Sequence, residues 1–246
     1  MMRLPAFLAS LVMATGAMAA DTTATQRIVI EPFTAHYAVY MDGQQRGEST
    51  IRLERTDRGS WRYSVSAEGT SGMARLAGFE ADDRSEFDIG ADGELRLQWM
   101  ESRSKALFKS RKVSADFDWS ERLAIWSGDL KDDRRAPTPL SDKAVNSSLL
   151  NLALALDAAK AGDNQVFRYQ MLDRGSSKEV EYVAQRMASV EVPAGRFEAR
   201  PMRRDRRDKD RVVTAWYAPN LPPTPVRLLQ TDNGKPRYEL RLLRID

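Results

Sequence analysis

"PLSDKAVNSSLLNLALALDAAKAGD", residues 139–163, interrupts a chain otherwise written in alternating apolar and polar residues. Ser141 suits an N-cap, Asp142 suits the positive end of a helix dipole, good helix formers follow, and Gly162 offers a stop. These signals predict one long helix over about 141–161. Val145, Leu149, Leu152, Ala153 and Leu156 fall on one stripe that Leu150 and Leu154 widen, so more than half of the helix circumference is expected to be buried. A single helix among strands needs a concave surface to cover. The sheet must therefore curl around it or be closed by it.

The strands on either side read as antiparallel. In "FTAHYAVYMDGQQRGESTIRLER", residues 33–55, Phe33, Ala35, Tyr37 and Val39 face one way and Asp42-Gly43 offers a hairpin turn. Trp61, Tyr63, Val65 and Ala67 repeat the alternation, whereas residues 69–79 lose it and read as a loop or short helical turn carrying Met73, Leu76 and Phe79. Strands resume at residues 82–90, turn at Ala91-Asp92-Gly93 and continue to about residue 128, with no crossover helix that a parallel sheet would need. After the helix the alternation returns, and Asn233-Gly234 is the strongest hairpin signal of the chain. The expectation is a mainly β chain: a single curved antiparallel sheet or half-barrel partly wrapping the long helix, with residues 20–32 a flexible lead and 33–246 one β-rich domain.

Compositional limits are clear. One basic residue, Arg3, precedes an apolar run over 4–18 that is too short to span a bilayer, and Ala17-Met18-Ala19 places small residues where a signal peptidase reads. Residues 1–19 are expected to be a cleaved signal, which places the mature protein in the periplasm. The chain has no cysteine, hence neither disulfides nor an acceptor for lipid attachment. About 227 residues would remain, enough for a core that holds itself together. Losing Arg3 from 38 Lys+Arg against 35 Asp+Glu leaves a net charge of +2, which argues against a nucleic-acid binder, and no later segment predicts a transmembrane span.

No catalytic constellation stands out. His36 is the only histidine, out of phase with Phe33, Ala35, Tyr37 and Val39 and so expected on the solvated face. Without cysteine or a second histidine, no metal site or cofactor is implied. The carboxylates Glu80, Asp82, Asp83, Glu86 and Asp88 do not match a calcium loop and read as solvated strand faces. "RRDRRDKDR", residues 203–211, carries Arg203, Arg204, Arg206 and Arg207 as a candidate surface for phosphates or anionic lipid, although Asp205, Asp208 and Asp210 reduce its net charge to +3. Trp61, Tyr63, Trp99, Leu149, Leu152, Leu156 and Trp216 are candidates to line an apolar ligand cavity between sheet and helix. In "TAWYAPNLPPTPVRLL", residues 214–229, Trp216 and Tyr217 point to opposite faces. Trp216 is expected in the core and Tyr217 partly exposed, with Pro219, Pro222, Pro223 and Pro225 fixing a corner.

Three stretches of the last third, "VEVPAGRFEARPMR" (190–203), "TAWYAPNLPPTPVRLL" and "GKPRYELRLL" (234–243), resemble the closing pattern of a bacterial envelope family catalogued as domain of unknown function 3108. The small-residue turn from Val192 to Phe197, the strand end from Trp216 to Pro219 and the start Pro225-Val226-Arg227 carry the likeness. So does the opening strand pair with Gly47. The resemblance covers about residues 33–245 and implies a periplasmic, mostly β protein with no assigned activity. It also suggests an architecture similar to lipoprotein-carrier folds, at fold level alone. Two functional expectations follow: a non-enzymatic envelope protein holding a lipid or other apolar ligand, or a structural protein that meets a lipoprotein or other envelope partner through an edge strand or the basic tip.

Overall fold

The computed structural model describes residues 30–206 and 209–246. The expected signal, most of the lead and Arg207 lie outside the described residues. Seven strands form the first meander: β1 (Phe33–Met41), β2 (Gln44–Arg55), β3 (Trp61–Gly69), β4 (Glu80–Ile89), β5 (Leu95–Ala106), β6 (Lys109–Asp118) and β7 (Leu123–Gly128). A short helix, α1 (Gly72–Leu76), sits between β3 and β4. Two brief strands follow, β8 (Thr138–Pro139) and β9 (Ala144–Asn146), then α2 (Leu149–Lys160). The remainder is β10 (Val166–Asp173), β11 (Ser176–Ala184), β12 (Ala188–Val192), β13 (Gly195–Arg206), β14 (Arg211–Tyr217), β15 (Arg227–Asp232) and β16 (Lys235–Ile245). The turn chemistry obeys the hairpin rule where it was expected to. Asp42 and Gly43 adopt φ of 50° and 78°, and Asn233 and Gly234 48° and 73°, the left-handed pair that a right-twisted hairpin needs.

Pairing of β1 with β16 joins the two halves into one sheet that runs from β8, through β7 to β1 and then β16, back to β10 and β9, with β12 paired onto β13. All pairs are antiparallel except β9 with β10. The strands at the two ends of this path, β8 and β9, are nonetheless four residues apart in the chain. Five Cα steps reach at most about 19 Å, so the sheet has to roll until its edges nearly meet. Side chains stitch that seam. Gln170 on β10 donates to the Pro139 carbonyl (2.7 Å) and accepts from the Ser141 N–H (2.8 Å), while its own N–H reaches the Lys143 carbonyl (3.0 Å). Arg122 accepts the Leu140 N–H at 2.8 Å and donates to Asp142 at 2.7 Å.

The helix is shorter than its sequence signals: it starts at Leu149 rather than 141. Ser141 is no cap, because no helix starts beside it: it lies at the seam, its N–H donating to Gln170, and Val145 lies in β9, paired with Met171. Asn146 supplies the helix start instead. Its Oδ1 accepts the Leu149 N–H (2.9 Å), and its Nδ2 donates to Ser85 Oγ (2.7 Å) across the interior. Helix propensity is a weak local preference that pairing at the seam overrides. From Leu149 the helix is buried nearly all round, at Leu149, Leu150, Leu152, Ala153, Leu154, Ala155, Asp157 and Ala158. Asp157 is tolerated there because the Tyr169 hydroxyl donates to it at 2.6 Å and Lys160 at 2.9 Å, pinning α2 to β10.

The outer face is layered too. Glu239, on β16, is almost fully buried on that face, held by Arg227 at 2.7 Å and Arg241 at 2.8 Å. Their guanidinium groups stack on Trp216 and Tyr40 respectively. Burial pushes the Glu239 carboxyl up, but the two arginines outweigh it and hold it below the usual carboxylate range.

Gln170→Ala is expected to destabilise the protein by about 2 kcal/mol in urea unfolding, because it strands polar backbone at the seam. A group whose pKa is depressed by folding stabilises above its unfolded pKa and loses that contribution as pH falls through the folded value. Glu239→Gln should therefore cost about 3 kcal/mol at neutral pH, and the deficit should shrink as the pH falls below the ordinary glutamate range. Urea midpoints measured across that range check the sign.

Candidate functional site

Register decides which side of β14 faces the core. Ala215 pairs with Met202 and is buried with it, so Tyr217 points inward at 4% exposure while Trp216 turns outward. This reverses the expectation for the two aromatics. Alternation separates them but cannot say which is inside. The Trp216 indole is covered instead by the Arg227 guanidinium, 5.1 Å from the ring centre.

Inside, hydroxyls converge. Tyr37 donates to the Pro225 carbonyl at 2.9 Å and shares a 2.7 Å hydrogen bond with Thr224. The hydroxyl of Tyr63 is buried beside Thr224, and that of Tyr217 is buried with no hydrogen-bond partner among the described residues. Burial pushes all three tyrosines well above their ordinary range, and in Tyr217 the neighbouring Tyr182, Tyr63 and Tyr37 add to the effect. They remain neutral donors at any physiological pH. An unpartnered buried hydroxyl is costly unless something completes it.

A cavity of about 290 Å³ lies beside this cluster, between the C-terminal half of α2 and the 218–224 connection. Ala155, Leu156 and Ala158 form one wall, and Pro219, Leu221 and Pro222 the opposite one. Tyr217 and Thr224 also line it, and Arg200 borders it with its guanidinium held by Asp163 and the Gln185 carbonyl, each at 2.8 Å. Such a site can seat an apolar chain. It holds no paired acid and base.

Of the predicted ligand residues, only Leu156 borders this cavity. Trp61, Tyr63, Leu149 and Leu152 are buried and fill the interior. Trp99 pairs with Glu86 and Asp116 on the outer face, away from the cavity. In the sequence the proline connection reads as a corner and Tyr217 as partly exposed, so neither points to this site, and neither Tyr37 nor Thr224 carries a local signal for it. The signal available was the proline run itself, which supplies a rigid wall free of N–H donors. A second depression, about 620 Å³, crosses the polar face of β2 to β6 and is lined by interleaved acids and bases such as Glu68, Asp82, Arg103 and Lys112.

Alternation also divides the arginine cluster. Arg203 follows the outward phase with Asp205, its ion-pair partner at 3.5 Å, whereas Arg204 and Arg206 share the Met202 phase and act together on Lys178 across the interior end. His36 lies on the outer face, its Nε2 3.1 Å from Asp246 and also from Arg244, and its Nδ1 3.3 Å from Thr50 Oγ1. Thr50 is in the middle of β2, paired with both β1 and β3, so ladder hydrogen bonds occupy the backbone donors an oxyanion would need. The chain Thr50–His36–Asp246 ties β1, β2 and the C-terminus. Among the acidic candidates, Glu86 binds Arg62 at 2.7 Å and Asp82 binds Arg84 at 2.8 Å. Asp83 faces inward, where burial pushes its carboxyl up.

Similarity to solved structures is loose. A beta-barrel-like protein of domain of unknown function DUF1849 from Brucella abortus aligns over 88% of this chain and 98% of its own, at 10% identity and a TM-score of 0.47. A protein described as exported, with a YmcC-like fold, from Bacteroides fragilis aligns over 88% and 96%, at 13% identity and a TM-score of 0.34. One described as a lipoprotein, from Parabacteroides distasonis, aligns over 88% and 95%, at 10% identity and 0.32. A comparison with curated proteins finds no match. The family described as protein of unknown function (DUF3108) matches residues 33–241, from the first strand into the last, and the chain belongs to that family.

Proposed function

We propose that this is an exported, non-enzymatic protein of the bacterial cell envelope that holds a single apolar or amphipathic chain, such as an acyl chain, between α2 and the 218–224 connection. The observation that carries this reading is the cavity of about 290 Å³ walled mainly by apolar side chains of α2 and the proline connection. Its volume sits at the lower end of the range for ligand pockets, roughly 300–1,000 Å³. That size suits one chain and excludes a whole diacyl lipid. Export is supported by the short apolar run behind Arg3 and by Ala17-Met18-Ala19. No helix among the described residues is long and apolar enough to cross a membrane. The alternative, recruitment of a partner strand at a sheet edge, is disfavoured at β8 and β9, which span two and three residues and meet at the seam, and it is left to β12, whose only strand partner among the described residues is β13.

Native mass spectrometry of the protein isolated from its own periplasm should show a bound small apolar mass on a chain that begins at Ala20. Dodecanoate should bind the emptied protein, and Leu156→Trp, which fills the cavity, should weaken that binding about tenfold or more while leaving the unfolding transition near its original position. A protein that is isolated empty, and whose dodecanoate affinity is indifferent to Leu156→Trp, would refute the assignment.

A further inference from the structure

Five of the largest apolar side chains left in water gather at one end of the molecule, away from the cavity. Phe108 is 102% exposed, Leu76 78%, Met73 75%, Leu107 66% and Phe79 39%. They come from α1 and its exit, and from the loop between β5 and β6. The Leu107 N–H donates to the Ala77 carbonyl at 2.6 Å, which holds the two segments side by side.

The loop departs from the turn chemistry used elsewhere in the chain. Ala106 pairs with Lys109, so Leu107 and Phe108 are a complete two-residue hairpin loop. The loops Asp42-Gly43, Arg174-Gly175 and Asn233-Gly234 carry glycine where a positive φ is required. Leu107 takes a φ of 56°, as Asp42, Arg174 and Asn233 do at the first position of their loops, but it is a bulky apolar residue and Phe108 rather than glycine follows it. Neither folding nor solubility favours these residues here, and backbone strain coinciding with exposed apolar surface points to use.

Charge indicates what they meet. Residues 72–79 and 104–111 contain Arg75, Lys105, Lys109 and Arg111 and not one Asp or Glu. All four cations are exposed. The nearest acids, Glu68 and Glu80, pair with each other one rung behind, where Glu80 also faces Lys105. A projecting apolar tip ringed by cations lacks the concavity a peptide would lie in, and it matches the interface of an anionic bilayer: apolar side chains at the acyl boundary, ammonium and guanidinium groups among phosphates. We propose that this end docks on the surface of a membrane containing anionic lipid, with Leu107, Phe108, Met73 and Leu76 entering the interface.

Flotation of the purified protein with vesicles of phosphatidylethanolamine and phosphatidylglycerol tests this, with phosphatidylcholine vesicles as the uncharged control. The wild type should float with the anionic vesicles and less so at high salt. Leu107→Asn combined with Phe108→Gly restores the preferred loop, so it should fold at least as stably as the wild type yet partition about tenfold less or weaker still. Lys105→Ser with Lys109→Ser should reduce both binding and its salt dependence. Leu156→Trp should float like the wild type, which separates this surface from the cavity. Absence of wild-type flotation, or equal flotation of the Asn-Gly variant, would overturn the proposal. So would a dimer that this variant dissolves in the absence of any vesicle binding, since the tip would then serve a second copy.

Discussion

The seam between β8 and β9 constrains everything else. Four residues connect the two extremes of a sheet otherwise built from hairpin neighbours, and so short a connection admits only a rolled arrangement. No strand ladder closes the roll. Gln170 closes it with side-chain hydrogen bonds to the backbone of Pro139 and Ser141, and Arg122 adds one from its Nε to the Leu140 carbonyl at 3.2 Å. A seam of this kind also covers the edges of β8 and β9, which would otherwise invite pairing.

The rolled sheet explains why α2 is so apolar. A helix enclosed on most sides has no solvated stripe to maintain, so Leu149, Leu152 and Leu154 can point in different directions and all be buried. Asp157 is the exception, and it is hydrogen-bonded by Tyr169 and ion-paired with Lys160. The helix fills the interior along its first turns. Toward its C-terminal half alanines replace leucines, the facing chain is the proline connection, and the packing opens into the cavity. Small side chains opposite rigid ones leave space that neither can collapse into.

Local rules are obeyed at most turns and broken at few places. The Leu107-Phe108 loop breaks turn chemistry, and the Tyr217 hydroxyl breaks polar satisfaction. The first lies at the surface, where a membrane would cover it, and the second lies in the tyrosine cluster behind the cavity wall. By contrast, Glu239 with Arg227 and Arg241 is fully compensated and belongs to the scaffold.

Much of this was legible in the chain itself. Period-two alternation and glycine turns set the strands, because side chains on a pleat alternate whatever the tertiary context, and the leucine-rich run around Leu152 announced a buried helix. Alternation likewise told that Trp216 and Tyr217 part company. Tertiary structure alone decided which of them is inside, since that depends on the register of β14 against Met202 on β13. It also decided that residues 144–146 are strand rather than helix, because their partner, Gln170 to Leu172, comes from sequence not yet reached when the local signal is read. The cavity was invisible for the same reason. Its walls come from residues about sixty positions apart, Leu156 and Leu221 among them, and only packing brings them together and leaves space between.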